Sequence, residues 1–285
     1  MEGLRILVNI KQKVKGRLSD QKRAVLVVQY KRDPISKVKY TVWGIILLAI
    51  VWWSAQGTNF NLIELQAGAY GIADIVSRMF PPDFSIASRM INPIIETVQI
   101  SILGTILAIL ISIPFGLLAA SNIAPNSVVY QSSRLILNTL RAIPEVIFAL
   151  IFVAAVGLGP FPGVLAIGVS SSGMLGKFLA DYIENVAPGP LEALKATGAN
   201  KIQVINYAIV PQILPEFVSL ALFRWEMNFR ASTILGIVGA GGIGFELMTS
   251  MRLFKYQEMI VILMLILLVV TIVDTIASTI RNRII

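Results

Sequence analysis

Long apolar segments separated by shorter polar ones make up most of this 285-residue chain. A helix that crosses the hydrocarbon core of a bilayer needs about 20 mainly apolar residues. Six segments meet that requirement, and we predict that each is a membrane-spanning helix. The predicted spans cover residues 40–56, 91–120, 132–156, 163–183, 206–235 and 255–280.

The hydrophobic pattern between the first two spans is different, because apolar residues recur there at helical spacing. Ile72, Ile75, Val76 and Phe80 would share one face of a helix. This pattern predicts an amphipathic helix that lies on the extracellular surface of the membrane, within an extracellular segment over residues 57–90.

The composition is typical of a membrane protein, with 56% hydrophobic and only 14% charged residues, whereas soluble domains carry about 25% charged residues. The predicted fold class is therefore an all-α integral membrane protein with six transmembrane helices. The chain has no cysteine and no histidine, which excludes disulfides, thiolate metal sites and imidazole ligands or bases. We predict no metal site in this chain.

Positive charge is concentrated in the first 40 residues, which hold eleven basic and three acidic side chains and so account for the whole net charge of +8. A basic tail before an apolar span favours a cytoplasmic location and contact with anionic lipid over a nucleic-acid partner. We predict a cytoplasmic N-terminal tail over residues 1–39. Six crossings would return Arg281 and Arg283, near the C-terminus, to the cytoplasm as well.

A polar loop over residues 187–202 separates the fourth and fifth spans, and this topology places it in the cytoplasm. Pro190 suits the first turn of a helix, Glu192 lies where the helix dipole favours an acid, and Gly198 permits a tight turn. The pattern predicts two short helices joined at Gly198 and accessible to another protein. The alternative is an ordinary polar loop.

The segments Glu192-Ala193-Leu194 and Val210-Pro211, with Gly198 between them, resemble the Glu-Ala-Ala, Gly and Leu-Pro loop of permease subunits of bacterial binding-protein-dependent ABC importers. Leu194 stands where that family has alanine. The resemblance implies a type I importer permease core like that of methionine importers, with this loop docked on an ATPase subunit. The implied docking residues are Glu192, Ala193, Leu194, Gly198, Ala199 and Pro211.

Residues 141–148, 172–177 and 224–232 are similar to the permeases of phosphonate and phosphite importers. The resemblance implies a translocation path for phosphonate, phosphite or a related phosphorus oxyanion; another solute of the same superfamily, such as methionine or betaine, is the alternative. The implied location is the bacterial cytoplasmic (inner) membrane. The implied partners are a second permease copy, two ATPase subunits that bind ATP and Mg²⁺, and an extracellular substrate-binding protein. The chain itself would be non-catalytic and hold no cofactor.

Charged residues inside the predicted spans are further candidates, because an arginine at the centre of a spanning helix costs about 2.5–3.5 kcal/mol on insertion scales. Such a residue should face a partner or a water-filled path. An uncompensated arginine would suit a doubly charged phosphonate, whereas paired arginines would only anchor helices to one another. Both interpretations apply to the set Arg141, Glu145, Arg224, Glu226 and Arg230.

Other charged residues within the predicted spans receive structural predictions. Lys177, Asp181 and Glu184 could form a proton relay, but Lys177 and Asp181 are four residues apart, so we predict a salt bridge between them on one helix face instead. Asp274 has no obvious partner within a turn, so we predict that it pairs with a neighbouring helix.

The glycines near residue 240 fit the pattern Gly-x-Gly-x-x-Gly. A dinucleotide site would need a strand before them and a β-α-β unit around them, but a long apolar run follows instead. We therefore predict a tight outer turn, where helices pack closely or the chain re-enters the membrane surface, rather than a membrane oxidoreductase. A secondary transporter would call for inverted repeats, and none is visible. The glycines are Gly239, Gly241, Gly242 and Gly244.

Overall fold

The computed structural model describes residues 34–58 and 60–284. These residues form helices and no strands, which confirms the all-α prediction. The chain divides into two compact units, of which one ends at Gly71 and the other begins at Ile72. The predicted basic tail lies outside the described residues, except for residues 34–39.

The first unit contains helix α1, which covers Pro34–Gly57. This helix begins earlier than the predicted span, because Pro34 suits the first helical position and the polar residues after it continue the same helix. Its segment Lys39–Gly57 is long and apolar enough to cross a membrane. Helix α2 covers Leu62–Arg78 and crosses the boundary between the two units.

The second unit continues with a 3₁₀ turn and a series of helices. The 3₁₀ turn covers Phe84–Ile86, and a π-helical segment over Ile205–Ile209 joins α8 to α9. The helices are α3 (Ile91–Leu118), α4 (Ser127–Ala142), α5 (Glu145–Val156), α6 (Pro160–Glu184), α7 (Pro188–Ala196), α8 (Lys201–Val204), α9 (Val210–Ile237), α10 (Gly242–Arg252) and α11 (Tyr256–Ile284).

The third predicted span is not a single straight helix. Helices α4 and α5 meet at an angle of 88°, so that the described chain has five candidate spans, or six if this bent pair counts as one crossing. Pro144 causes the break, because it has no N–H to continue the helix and forces the preceding residue into an extended conformation. Ile143 accordingly has φ −91° and ψ 121°.

The fifth predicted span lies within a longer helical run from Lys201 to Ile237. Pro211, near the start of α9, cannot donate a backbone hydrogen bond to the preceding turn. The chain forms the π-helical segment directly before it, and such wider turns are a common adjustment near proline in membrane helices.

Close contact between α3 and α6 forms the centre of the second unit. A Cβ atom built at Gly104 would lie 2.7 Å from Ile167 Cγ2, and one built at Gly116 would lie 2.8 Å from Leu179 Cδ2. Small residues of this kind let membrane helices approach closely, where packing rather than hydrophobic burial drives association. Helix α6 also contacts α4, α5 and α9, so it is the element around which the candidate site is arranged.

Candidate functional site

Helix α7 contains the motif residues of the predicted docking loop. None of its residues is buried. The side chains of Glu192 and Ala193 are exposed, and that of Leu194 is half-buried. The helix therefore offers a polar surface to another protein.

The C-terminus of α7 is closed by a Schellman motif, which two backbone hydrogen bonds define. The Ala199 N–H donates to Leu194 O at 3.2 Å, and the Gly198 N–H donates to Lys195 O at 3.0 Å. Gly198 has a φ of +80°, where a side chain is strained. No atom lies within 4 Å of a Cβ built there, so backbone conformation rather than space requires the glycine.

Side-chain hydrogen bonds fix both ends of this loop. Asn200 and Gln203 form a capping box at the start of α8, with bonds of 2.8 and 2.9 Å between each backbone N–H and the other side chain. On the other side of α7, the Ala187 N–H donates to Gln212 Oε1 at 3.0 Å, and Gln212 Nε2 donates to Ala208 O at 2.7 Å. Gln212 thus ties the start of α7 to α9.

An apolar contact anchors the middle of α7. Leu191 packs against a core cluster that includes Ile183 of α6 and Ile209 of the π-helical segment. A displacement of α7 would therefore reach both flanking spans. Pro211 lies in the first turn of α9 rather than on α7, so the structure brings together the other five predicted docking residues and sets Pro211 on the adjoining span.

Arg224 of α9 is held by two other helices. Its Nη2 atom lies 3.5 Å from Glu145 Oε2 at the start of α5, and its Nε donates to Ser171 Oγ of α6 at 3.0 Å. Only 15% of the Arg224 side chain is exposed. These contacts favour a helix-anchoring role for Arg224 and Glu145.

Arg230 belongs to a charge cluster that joins α9 to α11. Its Nη2 atom lies 2.8 Å from Glu226 Oε1, one turn earlier, and also binds the Asp274 carboxylate of α11. Arg281 Nη1 lies 3.8 Å from Glu226 Oε2. Two cations thus face two carboxylates. The prediction that Asp274 pairs with a neighbouring helix is confirmed.

Arg141, at the end of α4, differs from the other two arginines. No carboxylate of the described residues lies within ion-pairing distance of it, since Glu145 lies beyond the 88° bend and pairs with Arg224. Lys177 also lacks a carboxylate partner among these residues. The predicted pair between Lys177 and Asp181 is wrong, because Arg134 of α4 binds Asp181 Oδ1 at 3.3 Å instead.

A buried hydrogen-bond network joins α3, α6 and α9. Asn228 Nδ2 donates to Thr105 Oγ1 at 2.9 Å, and Ser171 Oγ donates to Asn228 Oδ1 at 2.8 Å. The Asn228 and Ser171 side chains are fully buried. Because unpaired polar groups are costly in such surroundings, the network fixes the register of the three helices.

The glycine motif forms the turn between α9 and α10 and the first turn of α10. The residues before it belong to α9, so the strand that a dinucleotide site needs is absent and that interpretation is wrong. The Ile243 N–H donates to Thr97 Oγ1 of α3 at 2.8 Å, which ties the turn to α3. Positive φ angles require glycine at three positions, namely Gly239 (+94°), Gly241 (+77°) and Gly242 (+71°); Gly244 follows in α10, where it packs against α9.

No cluster of three or more acidic side chains that would hold a metal ion exists within residues 34–58 and 60–284. A cavity of 810 Å³ lies among α3, α6, the π-helical segment and α9. Its lining is almost entirely aliphatic and aromatic, for example Ile109, Ile113 and Phe217. Such a surface suits acyl chains or another apolar helix rather than an anion.

The chain matches the family described as "Binding-protein-dependent transport system inner membrane component" over residues 112–285. The chain belongs to this permease family. This membership and the candidate spans together make the permease a multi-pass membrane protein.

Individual relatives agree with the family. The permease is 47% identical over 223 residues to the phosphite transport system permease protein PtxC of Stutzerimonas stutzeri. This match covers 78% of the permease and 80% of that protein. It is 39% identical over 209 residues to the phosphate-import permease protein PhnE of Mycolicibacterium smegmatis, which covers 73% of the permease and 39% of that protein.

A solved structure supports the fold. The permease resembles the inward-facing MetNI methionine ABC transporter with a TM-score of 0.61 and 19% identity, over 71% of the permease and 99% of the matched chain. At this identity the likeness shows the fold alone, which is the type I importer core implied by the motif.

Two groups of residues escaped the sequence reasoning. Asn228 and its partners were missed because an asparagine within an apolar span gives no sign of which helices it joins. Asn138 was not singled out either, although Arg134, Asn138 and Arg141 recur at positions i, i+4 and i+7 and therefore share one face of a helix.

Proposed function

We propose that the permease is the transmembrane subunit of an ATP-driven importer and forms the translocation path for phosphite, phosphonate or a related phosphorus oxyanion. The observation that carries the proposal is α7. This exposed helix is capped at its C-terminus and attached to the spans on both sides. The chain has no Gly-x-x-x-x-Gly-Lys-Ser/Thr loop for phosphate binding. ATP and Mg²⁺ therefore bind to a partner ATPase, and the permease itself is non-catalytic.

The proposed cycle follows from the attachment of α7. Two permease copies form a central path, and each copy receives one ATPase subunit on its α7 surface at Glu192 and Ala193. ATP binding brings the two ATPase subunits together and moves the α7 helices with them. Leu191 and Gln212 transmit this motion to α6 and α9, which opens the path outward; hydrolysis resets it.

The relatives support the choice of cargo. One is named for phosphite transport and another for phosphate import, and both ions carry anionic oxygens on tetrahedral phosphorus. They favour such an ion over methionine or betaine. An extracellular binding protein would select the ion and deliver it to the permease.

The proposed orientation follows the positive-inside rule. The basic N-terminal tail and the C-terminal residues Arg281 and Arg283 lie in the cytoplasm with α7, and the segment 57–90 lies outside. The permease resides in the bacterial inner membrane, where the tail contacts anionic lipid and no nucleic acid takes part.

Uptake by the reconstituted complex tests the proposal. Permease, partner ATPase and binding protein would be placed in liposomes, and accumulation of radiolabelled phosphite, methylphosphonate and phosphate would be measured with and without ATP. We expect ATP-dependent uptake of at least one of these ions, without competition from methionine or betaine. Uptake that needs only an ion gradient and no ATPase would instead identify a secondary transporter.

A further inference from the structure

A polar stripe runs along one face of α4. Arg134, Asn138 and Arg141 are spaced so that they lie above one another on that face. Ile136 lies on the opposite face and is 42% exposed. An amphipathic helix of this kind within a membrane domain must direct its polar face toward water or toward another polar surface, because lipid cannot satisfy it.

The stripe reaches the middle of the membrane domain. A Cβ atom built at Gly173 would lie 2.8 Å from Leu140 Cβ and 3.1 Å from the Arg141 backbone nitrogen. Gly173 lies one residue past the midpoint of the 25-residue helix α6. Arg141 therefore lies beside the middle of a candidate span, and a cation that faced lipid there would be costly.

Helix α6 adds a second cation beside the stripe. Lys177 is one helical turn beyond Gly173, and it lines a small recess together with Arg134 and Asn138. Among the described residues of α3, α4, α5, α6 and α9, Arg141 and Lys177 are the basic side chains without a carboxylate within 4 Å. The other cations of these helices are neutralised: Arg134 by Asp181 and Glu184, Arg224 by Glu145, and Arg230 by Glu226 and Asp274.

We propose that Arg141, Asn138 and Lys177 form the surface along which the phosphorus oxyanion crosses the inner half of the membrane. This inference rests on the proposed function and assigns it a path. The Arg141 guanidinium binds two anionic oxygens at once, the Asn138 amide donates to a third, and the Lys177 ammonium supplies a second charge. Two uncompensated positive charges match a doubly charged oxyanion.

The arrangement also explains how the ion leaves. Arg134, the last residue of the stripe toward the end of α6, is already neutralised by two carboxylates. The ion therefore meets its strongest attraction at Arg141 and Lys177 and none of comparable strength beyond them. Conduction requires sites of this kind, which attract the ion without retaining it.

Thiol labelling tests the surface without reference to cargo. The chain has no cysteine, so Asn138→Cys and Ile136→Cys can be compared in the assembled complex. We expect water-soluble methanethiosulfonates to modify Asn138→Cys but not Ile136→Cys, and the anionic reagent to react about tenfold faster than a cationic one because of the local positive potential. Adding Arg141→Gln should remove this preference. Equal labelling at both positions, or no preference for the anion, would overturn the proposal.

Uptake measurements then separate this inference from the proposed function. In the reconstituted complex, Arg141→Gln and Lys177→Gln should each reduce phosphite uptake by about tenfold, as expected for the loss of a hydrogen bond to a charged group. Basal ATP hydrolysis should persist, and Arg141→Lys should restore part of the uptake. Arg283→Gln, which removes an exposed cation outside the stripe, is the matched control.

The outcomes are distinct. If the unmodified complex imports no phosphorus oxyanion, the proposed function fails. If it imports phosphite and Arg141→Gln does so at the same rate, the path alone is wrong. If either glutamine variant abolishes assembly or basal hydrolysis together with uptake, the cation instead binds a carboxylate of the second permease copy, and the path is equally wrong.

Discussion

Arg134 Nη2 lies 2.9 Å from Glu184 Oε2 at the last residue of α6, four residues before α7 begins. The same carboxylate accepts the Ser121 N–H at 2.7 Å through its other oxygen. Glu184 thus joins α6 to α4 and to the connection between α3 and α4. The end of α6 that leads into α7 is therefore held by two other elements. A displacement of α7 acts on a rigid part of the structure.

Replacement of Arg134 should weaken the attachment of α6 to α4. Arg134→Met keeps the apolar part of the side chain but leaves Glu184 and Asp181 without their cation, so we expect a loss of about 1–3 kcal/mol in stability. Thermal unfolding of the purified complex measures it as a lower melting temperature. Arg283→Met removes an exposed cation and serves as control. Equal melting temperatures of the two variants would show that the ion pairs of Arg134 contribute nothing to stability.

Substitution at Gly198 should weaken the contact through which the permease and the ATPase act on each other. Gly198→Ala places a side chain at φ +80°, which costs about 1–2 kcal/mol and disturbs the end of α7. Uptake and hydrolysis stimulated by the binding protein should fall together. Gly189→Ala is the matched control, because its φ is not positive and no atom lies within 4 Å of the added Cβ. The docking role is contradicted if the two variants behave alike.

A double-mutant cycle should detect the pair between Arg224 and Glu145. Arg224→Met leaves a carboxylate without its cation, and Glu145→Gln leaves a largely buried cation without its carboxylate. The stability losses of the two single variants should therefore add up to more than the loss in the double variant. We expect a coupling energy of about 1–3 kcal/mol from the unfolding of the four proteins. Additive effects would mean that the 3.5 Å contact carries no stabilisation.

The buried network around Asn228 should be sensitive to an apolar replacement of the same size. Asn228→Leu removes the bonds to Thr105 and Ser171, and we expect a loss of about 1–3 kcal/mol for the buried groups left unpaired. Asn282→Leu, at an exposed position, should change stability little. Chemical unfolding monitored by tryptophan fluorescence compares them, and a stable Asn228→Leu protein would refute the role of the network.

The sequence allowed prediction of the features that depend on neighbouring residues. The turn at Gly198 is one of these, because helix caps involve residues only a few positions apart. The pairing of Arg224 with Glu145 was not predictable in this way, since these residues lie on different helices that only the folded chain brings together. Pro144 favours a helix break, but the 88° angle of the break depends on how α4 and α5 each pack on α6.

Site-specific crosslinking from α7 tests most directly whether the ATPase acts on the permease at this helix. The chain has no cysteine, so Ala193→Cys can carry a short photoactivated crosslinker in the complex, with Ser88→Cys on the segment before α3 as control. We expect Ala193→Cys to form a covalent product with the ATPase subunit and Ser88→Cys to form none. An ATPase that crosslinks to other surfaces of the permease but never to α7 would contradict the proposed mechanism.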